Sequence, residues 1–307
     1  MTPAEKDPCE PRLTARCFRE QPKRARRLLA IKLLRLFEWL LKTYRLPMFP
    51  PMYISAGGAF PPPAPRPSPP PGLKWTQKAN LGGVARAYAI ATYSAVNNKV
   101  YVGTGYNGFY WKDWWEYDPT ANTWTQKSNL SLVDRAQAVS VYVNGKIYAG
   151  TGWNPTELSD WWEYDPTTDT WTQKTDFPGT ARDSAVAALA GGKIYFGTGY
   201  SPTYEKDWWE YDPAGDTWTQ KTDLPGATRW GIVAALIDSN IYITTGWPAA
   251  YSKDAYLYNP STDIWIQTND FAGVARGGAV VASTGQILYI GTGEIPGDHL
   301  DDWWKYE

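Results

Sequence analysis

From residue 73 onward the chain repeats itself every 47 residues, and this period constrains its fold more than any other feature. Trp124, Trp171, Trp218 and Trp265 are spaced by 47. The Gly-Thr-Gly triplets beginning at Gly103, Gly150, Gly197 and Gly291 keep the same interval, with Thr244 replacing the first glycine of the fourth. Asp-Trp-Trp-Glu-Tyr-Asp-Pro begins at Asp113, Asp160 and Asp207, and degenerate copies begin at Asp254 and Asp302. A fixed period of this length means one supersecondary unit stacked or arranged radially.

One unit reads as four short strands: 182–189 (RDSAVAAL), 193–199 (KIYFGTG), 208–211 (WWEY) and 217–221 (TWTQK). Four strands in each 40–50 residues is the pattern of a propeller blade, and no helical period interrupts it. The small apolar run belongs on the innermost strand, where blades crowd the axis. The Trp and Tyr side chains belong between blades, which explains 18 Trp and 21 Tyr against 8 Phe. There are five first strands, five glycine strands and five aromatic strands. The fifth Trp-Thr-Gln-Lys-like strand, 74–78 (KWTQK), precedes all the others, while the last repeat stops at Glu307 without one. The N-terminal strand is therefore expected to complete the last blade and close the ring, leaving no exposed sheet edge.

The leading Arg of each repeat (Arg86, Arg135, Arg182, Arg229, Arg276), the Ile-Tyr before the glycines, and Tyr-Asp-Pro with a Trp seven residues after the Tyr resemble the kelch family across residues 74–307. The resemblance implies an all-β, five-bladed kelch-type β-propeller over 73–307. Two features depart from the family pattern. Gly-Thr-Gly replaces its adjacent glycine pair, so the local turn is expected to differ, and six or seven blades are more usual than five.

Two segments precede the repeats. Residues 1–72 carry 13 Lys/Arg against 5 Asp/Glu, and residues 73–307 carry 17 against 26, so the net charge of −1 hides two oppositely charged parts. Residues 1–25 are polar and read as disordered, and 26–45 reads as an amphipathic helix with Leu29, Leu33, Leu34, Leu36, Phe37, Leu40 and Leu41 on one broad face; together they form the first region, 1–45. Lys32, Arg35 and Glu38 interrupt that helix, which argues against a membrane span and a secretory signal. Three roles remain open for it: peripheral membrane contact, docking on a partner, or none. Residues 46–72 hold eleven prolines and read as an extended linker.

Chemistry is sparse. Cys9 and Cys17 lie in the arm, and His299 is the single histidine. The galactose oxidase resemblance of kelch repeats therefore carries no copper site here, and no metal or cofactor is expected. Neither a Ser/His/Asp set nor a phosphate-binding glycine loop is present. An acidic propeller is a poor partner for nucleic acid. Compartment is left open, with the cell surface or exterior favoured by the resemblance alone.

The resemblance implies a non-catalytic module that binds or scaffolds a protein or glycan ligand. The alternative, also by resemblance, is a sugar-modifying enzyme of the sialic-acid mutarotase type, for which Asp183, Glu205 and Asp298 are candidate carboxylates. Alternating strand direction puts the loop entering the first strand and the loop after the second at one end of the ring. The residues that vary there are the candidate binding set: Tyr88, Gln137 and Ser184 with Gly231 and Gly278 behind the arginines, Trp230 directly after Arg229, and Tyr106, Trp153, Tyr200, Trp247 and Glu294 after the glycines. Arg86, Arg135, Arg182, Arg229 and Arg276 are included with them, since aromatics beside arginines suit sugar faces or acidic peptides. The competing reading is that these arginines and rings only tie neighbouring blades together.

Overall fold

The computed structural model describes residues 76–130, 133–247 and 250–307. The helix expected over 26–45, the linker over 46–72 and the first two residues of the expected closing strand lie outside them. What is described is all β.

Each repeat is an antiparallel sheet whose strands follow in chain order. The first blade is β1 (Ile90–Ser94), β2 (Lys99–Gly103), β3 (Trp114–Asp118) and β4 (Thr123–Lys127). The second is β5 (Val139–Val143), β6 (Lys146–Gly150), β7 (Trp161–Asp165) and β8 (Thr170–Gln173). The third is β9 (Val186–Ala190), β10 (Lys193–Gly197), β11 (Trp208–Asp212) and β12 (Thr217–Lys221). The fourth is β13 (Val233–Ile237), β14 (Asn240–Thr244), β15 (Ala255–Asn259) and β16 (Ile264–Gln267). The fifth is β17 (Val280–Ser283), β18 (Leu288–Gly291), a two-strand hairpin β19 (Glu294–Ile295) and β20 (Asp298–His299), and β21 (Trp303–Tyr306). The register repeats: Gly197 faces Trp208, and Tyr211 faces Trp218, as Gly150 faces Trp161 and Tyr164 faces Trp171. Glycine is required at the first of these positions, because a Cβ on Gly150 or Gly197 would lie 2.6 or 2.5 Å from the indole opposite.

Two strand boundaries differ from the sequence reading. The first strand begins at Val186, not Arg182, because Ser184 turns into the left-handed region at φ 53°. The second ends at Gly197, not Gly199, because Thr198 and Gly199 leave the β region at φ 57° and 99°.

The first strands pack in succession, β1 on β5, β5 on β9, β9 on β13 and β13 on β17. All five line one axial cavity of about 370 Å³, through Ile90, Val139, Val186, Val233 and Val280 among others. The core is divided among the blade junctions. One apolar cluster joins blades one and two through Tyr101, Trp114 and Tyr164, and another joins two and three through Tyr148, Trp161 and Tyr211. A third joins three and four through Tyr195, Trp208 and Tyr258, and a fourth joins four and five through Tyr242, Phe271 and Leu288. At each of the first three junctions an indole stacks edge-on against two rings of the next blade, as Trp161 does with Tyr211 at 5.8 Å and Trp218 at 5.3 Å. Burying such a ring contributes about 3 kcal/mol from its area.

A second link lies farther from the axis. Asp169 ends the turn before β8 at φ 56°; its Oδ1 accepts the Ser128 N–H at 2.9 Å and the Tyr164 hydroxyl at 2.9 Å. Trp171 Nε1 donates to the Ser128 carbonyl at 2.8 Å. Asp216 with Thr175 and Asp263 with Thr222 repeat the arrangement. In the first blade Asn122 takes the aspartate's place, and its partner is Ala79, at 2.8 Å. Ala79 therefore stands where an outer strand of a preceding blade would end. The described part of the expected closing strand, 76–78, is nevertheless exposed and unpaired, and the fifth blade has three main strands among the described residues.

Candidate functional site

The five repeated arginines are framework residues at the mouth end. In Arg182 one side-chain nitrogen, Nη2, donates to Asp207 Oδ2 at 2.8 Å, while Nη1 donates to the other carboxylate oxygen and to the Thr198 carbonyl at 3.1 Å. The same fork joins Arg86 to Asp113, Arg135 to Asp160, Arg229 to Asp254 and Arg276 to Asp302. This bidentate pairing is strong and directional. It acts within a blade, whereas the arginine backbone acts between blades. Arg182 accepts at its carbonyl from Gly152 N–H, 2.8 Å, and donates its own N–H to Leu158, 3.2 Å, both in the preceding blade. Arg135, Arg229 and Arg276 make the equivalent pairs; among the described residues the fifth blade makes none to Arg86.

All five arginine side chains are at most 2% exposed. The sequence reading sets them beside the aromatics as candidate ligand-facing groups. They lie at the mouth end, but their guanidinium groups are enclosed. Burial pushes the Asp113 carboxyl up, but hydrogen bonds from Arg86 and Trp115 and the Arg86 charge outweigh it, and the group titrates below its ordinary range. For Asp302 the Arg276 hydrogen bond is the largest influence, again downward.

The Gly-Thr-Gly turn fits this clamp. Thr104, Thr151, Thr198, Thr245 and Thr292 all lie in the left-handed region, at φ 56–66°. A β-branched residue there is strained by about 1 to 3 kcal/mol. The conformation turns each threonine carbonyl to its arginine and, in blades one to four, the following glycine N–H, at φ near 100°, to the next blade's arginine carbonyl.

Nearer the axis, Tyr88, Gln137, Ser184, Gly231 and Gly278 form a collar, all at φ 53–64°. Gln137 N–H donates to Tyr88 carbonyl at 3.1 Å, Ser184 to Gln137 at 3.0 Å, and Gly278 to Gly231 at 2.9 Å. The collar backbone is uniform and its side chains are not: Gln137 Nε2 reaches Ser184 Oγ at 3.0 Å, while a Cβ on Gly278 would meet open space.

The residue after each arginine pairs with the residue after the glycines, as expected of loops at one mouth: Ala87 with Tyr106, Ala136 with Trp153, Asp183 with Tyr200, Trp230 with Trp247, and Gly277 with Glu294. The structure thus brings the two variable sets together. Their exposure differs. Trp153 is 9% exposed and its Nε1 donates to Tyr110 Oη of the first blade at 2.6 Å, so it links blades. Tyr88 is half exposed, and Phe109 in the first-blade loop is 75% exposed. In blade four Trp247 lies between Trp230 at 5.7 Å and Tyr251 at 5.3 Å, the latter nearly parallel. Sequence reasoning missed Phe109 and the rings Tyr110, Tyr204 and Tyr251. The last three recur four residues after Tyr106, Tyr200 and Trp247, a spacing that was available as a signal.

Of the candidate carboxylates, Asp183 is buried at the mouth, Glu205 accepts the Ser201 hydroxyl at 2.6 Å, and Asp298 is exposed in β20 beside His299. The axial cavity is walled mainly by aliphatic side chains and carries neither a carboxylate nor a guanidinium. Among the described residues no three His, Cys, Asp or Glu side chains gather as metal ligands.

Residues 134–178, which span most of the second repeat, match the Kelch motif. A solved chain titled "Structure of YjhT" is similar in fold, with a TM-score of 0.59 at 17% identity, covering 68% of this chain and 73% of that one. No curated protein matches by sequence.

Proposed function

From the premise that the described chain is a kelch-repeat β-propeller, we propose that it is a non-catalytic binding or scaffolding module that holds a protein or glycan ligand against the collar-and-loop face. The supporting observation is the contrast between a framework repeated in every blade and mouth positions whose residues change around the ring. Arginine, threonine, glycine and aspartate recur because they fix the ring. Tyr88, Phe109, Trp230 and Trp247 sit on that fixed frame and leave ring surface available. Exposed rings on a rigid scaffold are what recognition surfaces use. A sugar-modifying enzyme of the mutarotase type is the alternative, and it would need a carboxylate beside an accessible arginine; the repeated arginines are enclosed.

The test is a glycan and peptide array probed with the whole chain, followed by Tyr88→Ala, Phe109→Ala and Trp230→Ala at the mouth. Val96→Ser, in the turn at the opposite end, serves as control. Binding is expected to weaken at least tenfold in one or more mouth variants and to persist in the control. Binding that only the control abolishes overturns the proposal. So does measurable acceleration of anomer exchange in a sugar followed by NMR.

A further inference from the structure

The mouth is not five-fold symmetric in chemistry. In blades one to three the collar carries Tyr88, Gln137 and Ser184; in blades four and five it carries Gly231 and Gly278. Blade four is the one with three clustered rings, Trp230, Trp247 and Tyr251. Blade five, next to it, offers Gly277 and Gly278 in succession, where blades one to three have two side chains and blade four has Trp230 before Gly231. Gly277 lies directly under that cluster: a Cβ on it would stand 3.3 Å from Tyr251 Cε1 and 3.4 Å from Trp247 Cβ. Gly277 also exchanges backbone hydrogen bonds with Glu294, at 3.1 and 2.9 Å, and Glu294 pairs in turn with His299 across the β19–β20 hairpin. Tyr251 is close enough to Glu294 that the carboxylate adds to burial in raising its phenol above the ordinary range. The corner therefore has an aromatic wall packed on Gly277, open space over the bare backbone of Gly278, and a neighbouring hairpin with one carboxylate and one imidazole.

We propose that this corner of blades four and five is a subsite for a neutral pyranose, stacked on the outer side of the Trp230–Trp247–Tyr251 cluster over Gly278, with Glu294 and His299 as hydrogen-bonding partners of its hydroxyls. The proposal rests on the binding-module reading above and names its ligand class. The C–H face of a pyranose is flat and weakly apolar, and it stacks on aromatic rings; its hydroxyls need an acceptor and a donor that do not have to be desolvated as a lone charge. A carboxylate accepts two vicinal hydroxyls. The same carboxylate, on an acidic propeller, repels sugars that carry their own carboxylate. The site thus selects against acidic sugars, the opposite of what a sialic-acid enzyme requires.

The decisive variant is Gly278→Gln. Tyr88, Gln137 and Ser184 already occupy the collar at φ 53–57°, Gly278 sits at 61°, and its missing Cβ points into open space. The substitution copies the blade-two collar, so it puts a side chain into that open space and leaves the frame intact. Methyl glycosides and short oligosaccharides of glucose, galactose, mannose and N-acetylglucosamine are titrated into the whole chain by calorimetry, with indole fluorescence as a second readout. N-Acetylneuraminic acid and choline serve as charged probes. At least one neutral sugar is expected to bind and to quench indole emission. Gly278→Gln and Trp247→Ala should each weaken it tenfold or more, with the Gly278→Gln melting temperature within about 2 °C of wild type. Preference for either charged probe, or neutral-sugar binding that survives Gly278→Gln, overturns the subsite. A ligand lost with Tyr88→Ala or Phe109→Ala but not with Gly278→Gln overturns the subsite and keeps the mouth-face reading. If no ligand binds the face at all, both fail.

Discussion

Among the described residues four of the blade junctions are sealed and the approach of blade five to blade one is not. At the sealed junctions the first tryptophans of the aromatic strands, Trp114, Trp161 and Trp208, are fully buried, whereas their equivalent in blade five, Trp303, is 53% exposed. Tyr142 packs against the blade-one core, and its equivalent in blade one, Tyr93, is half exposed. The sequences on the two sides hardly differ, so the difference is not one of composition. What differs is the neighbour. A kelch-type blade buries its rings against the outer strands of the next blade, and its turn aspartate against the residue that leaves the outer strand of the blade before. Hydrophobic sealing is thus a property of the pair and is absent wherever the pair is incomplete. Ala79, held by Asn122 and Trp124 as Ser128 is held by Asp169 and Trp171, marks where residues 74–78 would have to arrive to complete it.

The comparison can be broken most directly by truncating equivalent tryptophans. Trp161→Ala should cost about 3 to 5 kcal/mol in denaturant unfolding, because it empties a filled junction, whereas Trp303→Ala should cost under about 1 kcal/mol. Equal losses would mean that the two junctions are equally sealed in solution. Next in size is the closing segment. Deleting residues 1–79 removes Ala79 and the expected closing segment before it and should destabilise by about 2 to 3 kcal/mol; deleting 1–70 should do nothing measurable. Identical midpoints for the two truncations would refute closure by residues 74–78.

Acid sharpens the contrast between the clamps. Burial raises the carboxyls of Asp169, Asp216 and Asp263, but the backbone and tyrosine hydrogen bonds they accept, with nearby lysines, leave them below the ordinary value. Asp165, held chiefly by the Lys146 hydrogen bond, falls to about 2. A depressed carboxyl stabilises the fold fully above its unfolded pKa of ~3.9 and ceases to as pH falls through its folded value, so stability should decline from about pH 4 toward pH 2. Asn122 does not titrate. Asp169→Asn, which makes the second blade's clamp like the first, should therefore flatten that decline slightly while changing stability at pH 7 by less than about 1 kcal/mol. An unchanged acid profile would show that these clamps do not contribute to it. The smallest effect is expected at Tyr93→Ser, within about 0.5 kcal/mol of wild type, against a clear loss for Tyr142→Ser by thermal melting.

The blade count, the strand order and the mouth were legible because the spacing of 47 residues carries them. The arginines show where such reading stops. Arg182 and Asp207 are 25 residues apart and recur together, yet periodicity says that both matter without saying that they touch. Their recurrence in every blade was itself the clue to a framework role, since a ligand that is not five-fold symmetric does not need five identical contacts. Thr198 was illegible for another reason. Local preference places glycine, not threonine, at φ 57°, and only the Arg182 and Asp207 contacts on either side hold it there. The exposure at the seam could not be read, because it depends on which surfaces meet, and Trp303 stands in nearly the same local sequence as Trp208, DWWKYE against DWWEYD.

The arginine-backbone clamp has a mechanical consequence. Each of the four sealed junctions is held at the mouth by short pairs lying side by side, such as Gly152 to Arg182 and Arg182 to Leu158, and these pairs break together when one blade is drawn from the next. A chain pulled by its ends would open from the unsealed side and lose one blade at a time, each step loading the next intact clamp. The extension record should be a sawtooth whose teeth are one repeat apart, 47 residues or roughly 160 Å of contour length.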